Sequence, residues 1–538
     1  MSKFELAIPS RTLQAWPGLG HWNLYFIFKF ALQWGGYLNV QLLSNLLFAA
    51  FLLVPLNRAF MVVARRLVAV PMAVALFYRD TWLPPLDRWL EQPQAADFSS
   101  GYLLKLAESV IDWNLCGWLL VLVVVYQFVH PWLRLTTLTL AGLAWLGYSS
   151  LMAPLPGQES GAARDPSAGY TISRAGTAVD NYLKQFYSAE ADRRVVFTPS
   201  AGVAQPFDLV LVNVDSLAWD DLDVIELRDH PLLRQMDVLF DHFNTAASER
   251  VPATLRLLRA GCGQAPRRQL YAPAAESCRL FDELGKQGFA VETLLNHTGQ
   301  FEGFLDAVQT LGLLPAPRID LSRLQPMLAG PDGSPVLRDR EVLSLWWNHR
   351  QGQPDSPVAL FYNSLSLHSG NRVVTAEGDS RRVAYKTRAQ ALLDDLSGFL
   401  EQLELSGRRV VVVLVPQRGA ALRGDRMQFP GMHEIPSPSI TQVPVGIKLI
   451  GMGRNSRSAP LHIGEPSSYL ALAQIIERLY AASTSDNPSP EWQPLLAGLA
   501  QTPLVSESQS SVVLNHTTTS YVRIKEKGAW LPYQPISK

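Results

Sequence analysis

Residues 207–216 read Phe207-Asp208-Leu209-Val210-Leu211-Val212-Asn213-Val214-Asp215-Ser216, an apolar run of strand length that closes on an acid and a hydroxyl. Apolar side chains fall on both faces of such a strand, so both faces must be covered. Strands of that kind belong to buried, largely parallel sheets flanked by helices. The pattern returns at 289–295, 358–362, 410–415 and 445–450, with helical periodicity between the runs at 248–259, 280–286, 338–349, 385–403 and 468–479. This alternation predicts an α/β domain over residues 181–538. A last stretch, 511–524, centred on Thr517, Thr518 and Thr519, reads as an antiparallel addition.

Ligands of open α/β sheets bind beyond the carboxyl ends of the strands, which makes the residues after each strand the candidate site. These are Asp215-Ser216 after the first run, His368 after the third and Pro416-Gln417-Arg418-Gly419 after the fourth. The start of the helix at Ser248-Glu249-Arg250-Val251-Pro252 is a further candidate. Cys262 and Cys278 close a short loop; in an oxidising compartment they favour a disulfide over a metal pair or a reactive thiol.

Upstream, residues 1–153 have a different character. Apolar segments at 22–38, 42–56, 67–83, 111–129 and 133–152 predict an α-helical transmembrane bundle of about five spans, although two of the segments are short for a hydrocarbon core that needs about 20 residues. The 67–83 segment, with Pro71 inside and Arg79-Asp80 near its end, could instead be a core or interfacial helix. With a cytoplasmic N-terminus, Arg58, Arg65, Arg66 and Arg134 fall in cytoplasmic loops and the acid-rich 84–112 loop falls outside, as basic residues in cytoplasmic loops require. The first apolar run lacks a small-residue cleavage pattern and reads as an uncleaved anchor. Lys29 lies mid-span, where an ionisable group is either functional or snorkels to the interface. Residues 154–180, rich in Gly, Ala, Ser and Pro, read as a flexible linker. The large domain is then periplasmic, behind a bacterial inner membrane.

The 47 basic and 47 acidic residues cancel, which excludes a nucleic-acid partner held by counterion release. The lipid bilayer and neutral polymers remain as partners.

The stretches Trp22-Asn23-Leu24-Tyr25-Phe26, Arg79-Asp80-Thr81-Trp82-Leu83-Pro84 and Leu257-Leu258-Arg259-Ala260-Gly261-Cys262-Gly263-Gln264 carry a resemblance. So do Asn296-His297-Thr298-Gly299-Gln300-Phe301, Gly424-Asp425-Arg426-Met427 and Pro436-Ser437-Pro438-Ser439-Ile440-Thr441. Together they make the chain similar, over nearly its whole length, to the cellulose phosphoethanolamine transferases encoded in bacterial cellulose synthase operons. The resemblance implies five membrane spans, a periplasmic domain of the alkaline-phosphatase and sulfatase type, and a structural disulfide at Cys262 and Cys278. It also implies transfer of phosphoethanolamine from phosphatidylethanolamine to cellulose through a zinc-activated serine. A hydroxyl at a helix N-terminus suits that chemistry, because free amides attract the phosphate and the metal lowers the hydroxyl's pKa.

At the positions that carry this chemistry the sequence departs from the family. Arg250 stands where the family has its serine, and Glu249 where a tyrosine precedes it. Gln417-Arg418 replaces the Glu-His pair of zinc ligands, and Asp215 replaces a ligating cysteine, while His368 is retained. A neutral amide and an arginine that stays protonated are not zinc ligands. The expectation is therefore a degenerate site with no cofactor, in which Asp215 and Glu249 pair with Arg250 and Arg418, and a structural or regulatory role beside cellulose synthase subunits. Two alternatives stand. The arginines could hold a phosphoethanolamine headgroup or cellulose without turnover, or a rewired enzyme could use Ser248, Thr254 or Ser216 as nucleophile.

Overall fold

The structure is a computed structural model. It describes residues 18–34, 38, 40–55, 59–80, 135–152, 168–198 and 207–533, apart from 354–355, 375–379, 426, 429, 453–458, 484–489, 518 and 525–527, with scattered positions between 117 and 128. The predicted 111–129 span and the first half of the linker lie largely or wholly outside these residues. The chain divides into two compact units, with the break at Asp165–Pro166.

In the N-terminal unit, α1 (Trp22–Trp34), α2 (Leu42–Leu53), α3 (Ala59–Asp80) and α4 (Leu135–Met152) cover four of the predicted apolar segments. Phe26, Phe48, Ala69, Ala73 and Leu143 form their shared core. With 13 residues, α1 rises about 20 Å, short of the about 30 Å of a hydrocarbon core. The longer α3 carries Arg65, Arg66, Arg79 and Asp80. Among the described residues no helix is long and apolar enough to cross a membrane, so the five-span expectation rests on the sequence. Lys29 does not snorkel. Fully buried, its Nζ lies 2.5 Å from Asp80 Oδ2 and 2.7 Å from Asn45 Oδ1, tying α1, α2 and α3 together.

The second unit begins with α5 (Ala168–Ala191), which corrects the linker reading at its C-terminal half. Val179, Leu183 and Phe186 give this helix an apolar face, buried against Val505 and Leu514. The stretch after it pairs with the loop at Cys262: Val195 N–H donates to the Gly261 carbonyl and Gly263 N–H to the Arg193 carbonyl. A Cβ at Gly263 would stand 2.2 Å from the Glu190 carbonyl oxygen, so only glycine permits the approach.

Seven strands make the central sheet: β1 (Asp208–Val214), β2 (Val238–Asn244), β3 (Ala290–Leu295), β4 (Val358–Ser364), β5 (Val410–Pro416), β6 (Gln442–Ile450) and β7 (Leu461–Ile463), in the order β7-β2-β6-β5-β1-β4-β3. β1, β3, β4 and β5 run parallel, as the apolar runs predict. β6 is antiparallel to both its neighbours. Alternation along β1 shows why both faces had to be covered: Leu209 and Leu211 enter one core with Phe243 and Val413, while Val210, Val212 and Val214 enter the other with Trp346 and Leu393. β2 was not legible, because Asp241, half-buried, and His242, exposed, interrupt its apolar pattern.

Short helices and longer ones fill both sides, among them α6 (Trp219–Val224), α7 (Arg250–Leu258), α8 (Leu280–Lys286), α9 (Asp339–Gln351), α10 (Tyr385–Leu405) and α11 (Tyr469–Ser483). The expected antiparallel addition is present as part of a four-stranded sheet in which Ser511–His516 pairs with Thr519–Ile524. Cys262 and Cys278 form the disulfide.

Candidate functional site

The parallel register places the ends of β1, β4 and β5 side by side, Val214 opposite both Ser364 and Pro416. The residues that follow converge on one point. Asp215, fully buried, accepts from Arg418 Nε at 3.2 Å on Oδ1 and meets His368 Nδ1 at 2.6 Å on Oδ2. Arg250, the first residue of α7, brings its Nε to 3.8 Å from the same Oδ2. Burial alone would raise this carboxyl; the charges of Arg418 and His368, the hydrogen bond from His368 and the charge of Arg250 outweigh it and hold Asp215 well below the usual carboxylate range.

Each arginine has a second anchor. Arg418 Nη1 donates to the Ser248 carbonyl at 3.1 Å. Its loop is fixed in turn by Asp221 of α6, whose carboxylate accepts from the Ala218 and Ala420 amides at 2.9 and 2.7 Å. Arg250 lies 4.8 Å over the Phe304 ring and 5.7 Å over Phe301, and reaches Glu302 at 3.4 Å. Glu249 was expected among the arginines of the site and is not there: Arg267 holds it at 3.0 and 3.2 Å, outside the cluster. Glu302 takes the role of second acid. It sits in a left-handed turn (φ 56°) four residues before Asp306, a position that apolar periodicity does not mark.

Behind the ion pairs runs a chain of amides and hydroxyls. Gln417 Nε2 donates to Asn213 Oδ1 and Thr254 Oγ1, both at 2.8 Å, and Asn363 Nδ2 donates to Asn213 Oδ1 at 3.1 Å. His297 Nε2 meets Asn363 Oδ1 at 2.8 Å, while its Nδ1 accepts from the Gly299 amide. Asn213, a polar residue inside an otherwise apolar strand, was the one visible signal of this network.

Two of the three candidate nucleophiles have their hydroxyls engaged. Ser248 Oγ donates to the His433 carbonyl at 2.6 Å and Thr254 Oγ1 to Asn213 Oδ1, so neither proton is aimed at a base. Ser216 stands at a left-handed φ of 61°, its carbonyl taken by the Tyr385 hydroxyl. Nor do the residues present fit zinc. Both oxygens of Asp215 are committed to cationic or imidazole donors, and two guanidinium charges would repel a divalent ion. Among the described residues no group of three or more His, Cys, Asp or Glu is arranged to hold a metal.

Two comparisons bear on descent. Residues 164–530 match the family described as the cellulose biosynthesis protein BcsG C-terminal domain, and residues 22–148 the corresponding N-terminal domain. The chain belongs to the BcsG family of cellulose biosynthesis proteins. It is 41% identical over 555 residues to BcsG of Escherichia coli (strain K12) and 40% identical over 553 residues to that of Salmonella typhimurium, covering 98% of this chain and of each relative. Among solved structures, a protein of the alkaline phosphatase superfamily from Vibrio parahaemolyticus is similar at 12% identity and a TM-score of 0.46, covering 66% of this chain and 91% of that one.

For this BcsG family member the geometry yields two expectations. Asp215→Ala leaves Arg250 and Arg418 buried without their shared anion and lowers unfolding free energy by about 3–5 kcal/mol. Arg418→Ala costs less, because Asp215 keeps His368 and Arg250; denaturant titration of the two variants in the full chain should show that order, and the reverse order would refute the shared-anion reading.

The second concerns pH. Burial, reinforced by the charge of Arg250, pushes His297 down to about 3, and burial with the charge of Arg418 does the same for His433. The unfolded chain binds these protons as pH falls through about 6.5 and the folded one only near 3, so their stabilisation is complete above about pH 7 and is lost on acidification. At pH 5 each should cost about 2 kcal/mol. Asp221, raised by burial to about 7, and Asp339, raised to about 6, act in the opposite sense, so the test is the difference between proteins: from pH 7 to pH 5 the full chain should lose about 2 kcal/mol more stability than His297→Asn does, and equal changes would refute the assignment.

Proposed function

We propose that this chain is a non-catalytic member of the BcsG family that serves the cellulose synthase complex as a structural or regulatory subunit of the bacterial inner membrane. The observation that carries this reading is the salt bridge of Arg418 and Arg250 with Asp215, at the point where the family's reaction needs a metal and a hydroxyl. Two guanidinium groups supply the positive charge there, and neither can accept a proton from a nucleophile. Residues before 153 are read as an anchor of about five spans, on the strength of their apolar runs and the placement of Arg58, Arg65, Arg66 and Arg134. The Cys262–Cys278 disulfide supports an oxidising compartment, the periplasm, for the α/β domain. Full-length protein purified in detergent after zinc supplementation should contain far less than one zinc per chain and should co-purify with cellulose synthase subunits. Stoichiometric zinc, or release of phosphoethanolamine from phosphatidylethanolamine, would restore the transferase reading.

One observation favours a second role for the same residues. Arg250 Nε and Nη2 are buried with no hydrogen-bond partner, two unspent N–H groups that the phosphate of a phosphoethanolamine headgroup would reach once the side chains covering them move aside. Saturable binding of glycerophosphoethanolamine that disappears in Arg250→Ala is expected on this reading. No binding at millimolar concentration would discard it.

A further inference from the structure

A hollow of about 360 Å³ lies at the side of the central sheet rather than at its carboxyl end. β3 is the outermost strand there. Ala290 N–H donates to the Pro357 carbonyl and Asn296 N–H to the Asn363 carbonyl, so the even-numbered residues bond to β4 and the backbone of Val291 and Thr293 faces outward. The hollow is enclosed by that edge, the 315–320 loop and the C-terminal half of α9. Four residues separate Glu292, in its lining, from Asn296 in the polar network, about 13 Å of strand. The volume is within the range of about 300–1,000 Å³ that small-molecule sites occupy.

Two charged side chains of the lining have no charged partner among the described residues. Glu292 is half-buried, and its Oε2 accepts from the Trp346 indole N–H at 2.7 Å. Its other oxygen meets no protein group and keeps accessible surface. Arg318, exposed on the loop wall, makes no ion pair, and the two are too far apart to pair with each other. Asp320, beside it, is engaged elsewhere: its Oδ1 accepts from the Ser322 amide at 3.0 Å, and the charge of Arg323 acts on it. A carboxylate partly withdrawn from water calls for a compensating cation. Pro315, Ala316 and Leu345 supply apolar wall between the two charges.

We propose that this hollow is a binding site for a free α-amino acid with an aliphatic side chain. The ammonium donates to the open oxygen of Glu292, the carboxylate accepts from the Arg318 guanidinium, and the side chain lies on Pro315, Ala316 and Leu345. One carboxylate and one guanidinium match the two charges of a zwitterion, whereas a simple anion or a simple amine satisfies only one wall. The site is independent of the arginine cluster and of the role proposed for it.

Isothermal titration of the full chain in detergent with L-leucine tests this. Saturable millimolar binding is expected, weakened at least tenfold in Glu292→Gln, whose amide oxygen still accepts from Trp346, and severalfold in Arg318→Met, which alters an exposed side chain. Isocaproate, which lacks the ammonium, and isopentylamine, which lacks the carboxylate, should each bind at least tenfold more weakly than L-leucine. Circular dichroism establishes that each variant is folded. Absence of binding by folded wild-type protein at tens of millimolar, equal binding of either analogue, or unchanged affinity in either variant would each overturn the proposal.

Discussion

One buried carboxylate organises the carboxyl end of the sheet. Asp215 has no exposed surface, and it receives Arg418 from the loop after β5, His368 from the loop after β4 and Arg250 from the start of α7. A charge taken out of water is tolerable only when it is closely compensated. The loops that follow three strands and the entry to one helix are therefore held to a single geometry by one anion. Removing any cation alters the balance, but removing the anion strands Arg418 and leaves Arg250 only Glu302 and its aromatic neighbours.

The polar layer behind that anion explains why neutral residues fill the rest of the site. Asn213, Thr254, Asn363 and Gln417 exchange hydrogen bonds in a closed set, and His297 joins it as a neutral imidazole. Low local dielectric strengthens such a network when its members are satisfied and makes each unsatisfied atom costly. Gln417 Oε1 remains without a partner, as do two atoms of Arg250.

Much of this was legible beforehand. The runs at 207–214, 289–295, 358–362 and 410–415 became strands because Val, Leu and Phe on both faces admit no other burial, and the rule that sites lie past strand ends pointed to Asp215, His368, Gln417 and Arg418, which the structure gathers at one end of the sheet. What the pattern missed has physical causes. β2 carries a half-buried acid followed by an exposed histidine, so its periodicity is broken. α5 begins in a stretch whose Gly, Ala and Ser content resembles a tether, and it is stabilised by Leu183 and Phe186 docking on residues more than 300 positions away. Glu249 was expected where Glu302 stands because sequence proximity to Arg250 is no guide to which carboxylate a loop delivers; Glu249 precedes the arginine directly yet faces Arg267.

The two arginines are not equivalent, and the difference narrows what the site can do. Arg418 divides its donors between Asp215 Oδ1 and the Ser248 carbonyl, two protein acceptors in fixed positions, and so acts as a clamp between β5 and the helix entry. Arg250 has weaker anchors: a long contact to Asp215, a half-exposed Glu302 and two aromatic faces. A guanidinium on aromatic rings is held by its quadrupole contacts and keeps its in-plane N–H groups available. Arg418 is thus the more firmly held of the two, and the N–H groups without a hydrogen-bond partner belong to Arg250. The clamp between β5 and the helix entry therefore does not depend on the donors of Arg250, and the two arginines can be altered separately.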